Sequence, residues 1–188
     1  MTDSARIPRL DFDSVDPALR EMLKPTVDRL GYFGEFFQVA AHIPGAIAAF
    51  MQYTGAVKAK LSDAQNEVIA LAVCAMLEAD YERIQHERLA RKLGFTLEWI
   101  AAAEGRPGSH PSALKDDERR LQALAQAVVP SHGLRCEAEL AAVTALLGHE
   151  KAVAALLQIS RFVTIAVMCN ALNLSLPVPS VFDEAAPQ

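Results

Sequence analysis

The stretch from residue 61 to residue 94 constrains the fold most, because it predicts two helices of opposite character joined by a short turn. Ser62, followed by Gln65, is a capping-box start for the first helix. That helix runs VIALAVCAML and is apolar on every side, as a fully buried helix is. Asp80 is the expected N-cap of the second helix, and Gly94 its stop. The stretch therefore predicts a helical hairpin with one member inside the core.

The second helix of this hairpin carries two ionisable residues within its apolar stripe. At about 100° per residue, Glu82, His86, Leu89 and Leu93 fall within one narrow arc. Packing alone would place Leu or Ile at all four positions. An i, i+4 pair with no role is the alternative, and on an exposed helix it stabilises by only about 0.2–0.5 kcal/mol. We interpret Glu82 and His86 as members of a functional site.

The composition predicts an all-α protein. Of 188 residues, 52% are hydrophobic and only 6% aromatic, and no alternating run of β-branched residues predicts a strand. One all-helical domain is expected over 1–188, with an extended arm over 1–15 and a loosely held tail over 177–188. Other helices are expected over 17–30, from Pro44, over 97–103, up to Pro130, over 136–147 and over 149–173. A short turn or helix is expected over 33–41, and a loop over 105–112.

Charge and hydropathy limit the classes of partner and compartment. The net charge of −5 and the scattered basic residues give no reason to expect nucleic acid or an anionic membrane as partner. The polar N-terminus lacks the apolar segment of a signal peptide, so a cytoplasmic protein is expected. The longest apolar region, 152–172, is interrupted by Gln158, Arg161 and Asn170 and is interpreted as a buried helix with polar contacts to its neighbours.

Glu67 lies at the start of the buried helix, and Cys74 shares its face. If the two helices pack as a hairpin, Glu67 approaches His86. A carboxylate beside an imidazole fixes the tautomer and raises the basicity of the ring, which is the usual construction of a proton-transfer group. Tyr81 and His42 are candidate substrate-binding residues, with packing and turn closure as their respective alternatives.

The register of this stretch resembles a known family. Glu67, Ala79, Glu82 and His86 match the spacing Glu-x11-Cys-x2-Cys-x3-His of the alkylhydroperoxidase D-like, or carboxymuconolactone decarboxylase-like, superfamily. AHIPGAIAAFMQYTGAV, LSDAQNEVIALAV and ARKLGFTLEWIAAAEG resemble the flanking helices, and the likeness covers about 36–105. The resemblance implies an alkylhydroperoxidase D-like helical bundle that forms a homo-oligomer: a dimer, trimer or hexamer.

The departure from the motif bears directly on function. The peroxidase branch uses its two cysteines for peroxide chemistry, and this chain has Ala79 and Glu82 in their places. The arrangement looks more like the decarboxylase branch, which implies a cofactor-independent decarboxylation of a small, carboxylated, unsaturated lactone. Glu67, His86 and Glu82 are then the expected catalytic residues. A protonated His86 is the expected cationic partner of the anionic substrate.

Three alternatives remain open from the sequence. The first is a non-catalytic binding or scaffold protein of the same fold. The second is a peroxidase that uses Cys74, although Cys74, Cys136 and Cys169 are too widely spaced for a disulfide framework or a cysteine metal site. The third is a metal held by Glu67, Glu82 and His86. The resemblance itself calls for no metal or other cofactor.

Overall fold

The computed structural model describes residues 7–184, and over that range it is all-α, as predicted. Within that range the α-helices are α1 (Pro17–Leu30), α2 (Glu35–Ala40), α3 (Pro44–Lys58), α4 (Asp63–Met76), α5 (Asp80–Lys92), α6 (Leu97–Glu104), α7 (Asp116–Ser131), α8 (Glu137–Ala171) and α9 (Val181–Glu184). Short 3-10 helices cover Phe12–Ser14 and Pro111–Ala113. Most helix bounds agree with the sequence prediction to within two residues.

Helix α4 forms the centre of the core, with α5, α6, α7 and α8 packed around it. Every residue over 65–74 is buried, as the all-round apolar pattern predicts. The predicted capping box is present: the Ser62 hydroxyl accepts from the Gln65 N–H, and the Gln65 side chain accepts from the Ser62 N–H. A polar residue on α4 is therefore placed inside the protein, where it needs a partner.

Helix α5 returns against α4 after a turn in which Glu78 has a positive φ of 51°. The prediction of Asp80 as N-cap is wrong. Ala79 occupies the cap position, and the Asp80 carboxylate instead accepts from Arg83, with an Nη2–Oδ1 distance of 2.7 Å. A Gly94 φ of 94° matches the predicted stop of this helix.

Helix α8 is divided at Gly148, whose φ of 82° and ψ of 168° suit only glycine. This agrees with the two helices predicted on either side of Gly148. In the described residues α8 is the one helix long and apolar enough to cross a membrane, and 56% of its most apolar window is buried inside the protein. Gln158, Arg161 and Phe162 on its second half are buried and face the α4–α5 hairpin side of the core.

Two further predictions need correction. Helix α7 passes through Pro130 to Ser131, whose hydroxyl donates to the Ala127 carbonyl at 2.6 Å, and His132 with a φ of 55° ends it. The predicted tail is not loose throughout, because Ser180 and Val181 are buried. Residues 185–188 of the tail and 1–6 of the arm lie outside the described residues.

Candidate active site

Glu67 on α4 and His86 on α5 form a close pair, as the hairpin prediction requires. His86 Nδ1 lies 2.7 Å from Glu67 Oε2, and Glu67 is only 2% exposed. The imidazole is held from a second side by Phe162 on α8, whose ring meets it edge-on with 4.9 Å between centroids. Three helices therefore fix the position of the ring.

The hydrogen bond to Glu67 determines which nitrogen of His86 is available for chemistry. An ionised carboxylate only accepts hydrogen bonds, so Nδ1 is assigned the hydrogen. Nε2 is left for the cavity side of the ring. Its nearest acidic neighbour is Glu82, with 3.7 Å between Nε2 and Oε2, which is an electrostatic contact longer than a hydrogen bond. In a neutral imidazole, Nε2 is the basic atom.

A cavity of about 290 Å³ opens beside this pair. Its volume is near the lower end of the range for small-molecule sites. One part of the wall is apolar, and the other carries polar or charged side chains. The apolar part includes Phe36, Phe37, Phe50, Met51 and Ile165, and the polar part includes Thr54, Lys58, Tyr81, Glu82, Gln85, His86 and Arg161.

Burial sets the electrostatics of Glu82. It raises the pKa of the Glu82 carboxyl, the charges of His86 and Arg161 lower it, and Glu67 adds to the rise. Glu82 therefore takes up a proton more readily than an exposed glutamate. The same desolvation lowers the pKa of the Arg161 guanidinium, and the nearby Glu82 opposes that shift.

Tyr81 lies in the wall of the cavity and ties α5 to α2. Its hydroxyl oxygen accepts from the Phe36 N–H at 3.2 Å, and burial raises the pKa of the phenol, which keeps it neutral. A Cβ at Gly34 would lie 2.8 Å from this oxygen, so a glycine is needed for the approach. The prediction that Tyr81 binds substrate remains open, and its position in the wall is compatible with it.

His42 is not brought to the site. It is exposed, and its Nε2 lies 2.8 Å from the Pro8 carbonyl oxygen, where it ties the N-terminal arm to the start of α3. Its side chain is not part of the cavity wall. The structure therefore places the predicted substrate-binding residue His42 away from the cavity, because its hydrogen bond to Pro8 holds the side chain toward the arm.

Cys74 is a poor candidate for thiol chemistry. Burial raises the pKa of its thiol well above the ordinary value, and Glu82 raises it further. All three cysteines are free and buried. Within residues 7–184, no group of three or more His, Cys, Asp or Glu side chains could hold a metal ion.

Arg161 is the member of the site that the sequence interpretation missed. It was assigned to helix contacts, but it lines the cavity beside Glu82. Its Nε donates to Gln158 Oε1 at 3.0 Å, and its guanidinium stacks on the Phe162 ring at 3.9 Å. The signal was an arginine in an otherwise apolar helix, which is rare unless it has a buried partner.

The chain matches the carboxymuconolactone decarboxylase family over residues 42–106, which contain Glu67, Glu82 and His86. Over these residues the chain is similar to that family. The resemblance seen in the sequence is thereby confirmed. No curated protein matches the chain.

Solved structures show that the fold is shared with known proteins. The debrominase Bmp8, in a variant with a cysteine replaced by alanine and in complex with 2,3,4-tribromopyrrole, has a TM-score of 0.78 at 16% identity, covering 92% of this chain and 91% of that one. An uncharacterised peroxidase-related protein from Ralstonia eutropha with an alkylhydroperoxidase AhpD core has a TM-score of 0.76 at 20% identity, covering 90% of each chain. At such identities the likeness concerns the fold.

Proposed function

We propose that this protein is a cofactor-independent acid–base enzyme that decarboxylates a small carboxylated lactone or a related acid. The observation that carries the proposal is the Glu67–His86 pair, which leaves Nε2 of the imidazole beside a cavity of small-molecule size. The family resemblance supports the reaction class, and the absence of the cysteine pair at positions 79 and 82 removes the usual peroxidase chemistry of the fold.

The reaction balances with these groups alone. The bond between the substrate carbon and its carboxylate breaks, CO2 leaves, and the electron pair moves into the conjugated carbonyl system of the lactone. The imidazolium of His86 then delivers the proton on Nε2 to carbon, and solvent returns a proton to the ring. Glu67 stabilises the imidazolium and keeps it oriented, as a carboxylate does for a catalytic histidine elsewhere.

Glu82 adjusts the charge of the site. If both glutamates, His86 and an anionic substrate were charged together, repulsion between the acids would oppose binding. The raised pKa of Glu82 lets it accept a proton as the anion enters. The apolar wall formed by Phe36, Phe50 and Ile165 removes water from the carboxylate that leaves, which favours the less charged transition state.

The test is His86→Gln, assayed by CO2 release from a panel of carboxylated butenolides. We expect turnover to fall about 100- to 10,000-fold, the usual contribution of a general acid. Helical circular dichroism and Tm should be preserved. His110→Gln, a change of an exposed histidine outside the cavity, is the matched control and should retain full activity. Undiminished turnover of every accepted substrate by His86→Gln would refute the proposal.

The other readings have less support. A purely structural role for the pair predicts a closed core, and the cavity beside His86 argues against it. A peroxidase using Cys74 would need a thiolate that burial disfavours, and unchanged peroxide consumption after thiol blocking would rule it out. A homo-oligomer in the cytoplasm remains part of the proposal. The exposed apolar side chains Val153, Leu157 and Val167 of α8 offer it a contact surface.

A further inference from the structure

We propose that a second cavity, bounded by the ends of α1 and α5, binds a phosphate group of the substrate. Arg29, Arg91 and Lys92 are its assigned ligands, and the rest of the substrate extends from there toward His86. This assignment deepens the proposed function and rests on it for the reaction at the far end of the substrate. Binding of a phosphate ester can nevertheless be measured without turnover.

The second cavity is larger than the one beside His86 and is lined by positive charge. Its volume is about 550 Å³, within the range of small-molecule sites. Among the described residues no acidic side chain lines it, whereas four cationic side chains do: Arg29, Arg88, Arg91 and Lys92. Arg88 donates to the Pro179 carbonyl oxygen at 3.3 Å, so the phosphate is assigned to the other three.

This concentration of positive charge contrasts with the acidic character of the chain, whose net charge is −5. Elsewhere on α1 the exposed Lys24 pairs with Asp28, with 3.0 Å between Nζ and Oδ2. Over residues 7–184, none of the three assigned cations forms an ion pair with a carboxylate. Like charges placed together repel one another, and a bound anion removes that repulsion.

The position of these cations at helix ends explains their presence only in part. Arg29 lies in the last turn of α1, and Arg91 and Lys92 lie in the last turn of α5, where basic side chains are stabilised by the helix carbonyls. Arg91 Nη1 donates to the Phe95 carbonyl oxygen at 2.7 Å, just beyond the end of α5. Arg29 and Lys92 donate no side-chain hydrogen bond within the described part of the chain, so their donors are available to a ligand.

The second cavity is continuous with the cavity beside His86. Four residues line both of them: Arg29, Leu30, Gln85 and Leu89. The charge of Arg29 also lowers the pKa of Glu82, against the rise that burial causes. Arg29 therefore lies between the cations and the acid–base groups. Leu89 follows His86 by three residues on the same face of α5, so a ligand held at the cations can extend along this face to the imidazole.

A phosphate group suits three cations better than a carboxylate does. A phosphate monoester carries a charge of about −1.5 to −2 at neutral pH and has three acceptor oxygens. A guanidinium pairs with two of these oxygens at once, and an ammonium adds a point charge. Tyr32 lies in the same wall, and burial raises the pKa of its phenol, so its hydroxyl remains a donor. A substrate with a phosphate ester at one end and the reacting acid at the other would occupy both cavities.

The test compares 2-naphthyl phosphate, 2-naphthoate and 2-naphthol by isothermal titration calorimetry at low ionic strength, where charge is least screened. We expect the phosphate to bind about 10- to 100-fold more tightly than the naphthol, with the carboxylate between them. Combining Arg29→Met with Lys92→Met should weaken the phosphate about 10- to 100-fold and leave the naphthol within about twofold. The control combines Arg120→Met with Arg135→Met, which removes two exposed arginines outside both cavities and should alter neither ligand.

Nuclear magnetic resonance of the histidine rings tests whether the ligand reaches the catalytic cavity. At saturation, 2-naphthyl phosphate should shift the His86 signal more than inorganic phosphate does, because only the ester has an organic arm. The signal of the exposed His110, which lies outside both cavities, should not move.

The outcomes separate the phosphate site from the proposed function. Equal binding of 2-naphthyl phosphate and 2-naphthol, or unaltered phosphate binding after Arg29→Met with Lys92→Met, would disprove the site. Equal binding of the phosphate and the carboxylate would overturn phosphate as the ligand class. A His86 signal that shifts no further with the ester than with inorganic phosphate would overturn the extension toward His86. None of these measurements needs turnover, so full activity of His86→Gln would refute the proposed function and leave the phosphate site intact.

Discussion

Two adjacent residues of α5, His86 and Glu87, belong to ionic clusters of different construction. His86 joins Glu67, Glu82 and Arg161 beside a cavity. Glu87 joins Arg83, Glu104 and Arg106, which form a network of ion pairs between α5 and α6. Both clusters remove carboxylates from solvent, but His86, Glu82 and Arg161 of the first also line a cavity.

The Glu87 cluster has a structural explanation for nearly every contact. Glu87 is fully buried and accepts from Arg83, from the Ser180 hydroxyl at 2.5 Å and from the Val181 N–H at 3.1 Å. The Arg106 guanidinium stacks on the Phe182 ring at 3.8 Å. These contacts fasten the segment that begins α9 against α5 and α6.

The comparison shows that burial of charge alone does not identify a functional site. In the Glu87 cluster the acids and arginines pair with one another and hold the chain in place, although Glu104 Oε1 accepts no hydrogen bond from the described residues and lies 3.8 Å from Arg83 Nη1. In the His86 cluster the arginine has no acidic ion-pair partner in residues 7–184, and a cavity lies beside it. What identifies a candidate functional site is a buried polar group that lacks a protein partner and lies beside a cavity large enough for a ligand.

The largest expected effect is a loss of stability when the Glu87 cluster is disrupted. Glu87→Ala leaves Arg83 and Arg106 without their buried acceptor and releases Ser180, so it should lower the free energy of unfolding by about 2–4 kcal/mol. Urea unfolding measures this change in free energy, and Glu98→Ala, which alters an exposed glutamate, is the control. Turnover per folded molecule should be unchanged. A large loss of activity without a loss of stability would mean that the two clusters are not distinct in role.

Glu67→Gln tests the other cluster with little change of shape. The amide can still contact His86 but cannot stabilise the imidazolium by its charge, so we expect kcat to fall about 10- to 100-fold, as for other residues that orient a catalytic group. KM should stay within twofold of the wild type. Steady-state kinetics provides both values. A raised KM with normal kcat would instead assign Glu67 to ligand binding.

The sequence was sufficient for three members of the His86 cluster and insufficient for Arg161 and for the Glu87 cluster. Glu67, Glu82 and His86 were predictable because hairpin geometry and family register both converge on them. Arg161 is 75 residues from His86 along the chain, and only the packing of α8 against α4 and α5 brings it to the cavity. The Glu87 cluster could not be predicted either, since its members come from α5, α6 and the tail, and the tail gave no local signal of order.

Glu104 makes the contribution of the Glu87 cluster to stability depend on pH. Burial raises the pKa of Glu104 from 4.5 to about 7, and Glu87 adds to the rise. The folded state then binds more protons than the unfolded state between about pH 4.5 and pH 7, so stability should fall as pH rises through this window, by roughly 1–2 kcal/mol. Glu104→Gln should remove that part of the pH dependence. The free energy of unfolding of the wild type and of Glu104→Gln should be measured from pH 5 to pH 8. A difference between them that stays constant over this range would show that Glu104 does not cause the pH dependence.

The smallest expected effect separates packing from substrate binding at Tyr81, in the wall of the cavity beside His86. Tyr81→Phe removes the acceptor of the Phe36 N–H, which is buried, so it should lower the free energy of unfolding by about 0.5–1.5 kcal/mol. If Tyr81 only ties α5 to α2, KM and kcat should both stay within twofold of the wild type, because the ring still fills the same wall. If its hydroxyl also contacts the substrate, KM should rise by more than the loss of stability explains, and Tyr81 would then be a residue that binds the substrate. Measuring urea unfolding and steady-state kinetics on the same preparation distinguishes the two roles, since a structural tie affects the first and a substrate contact affects both.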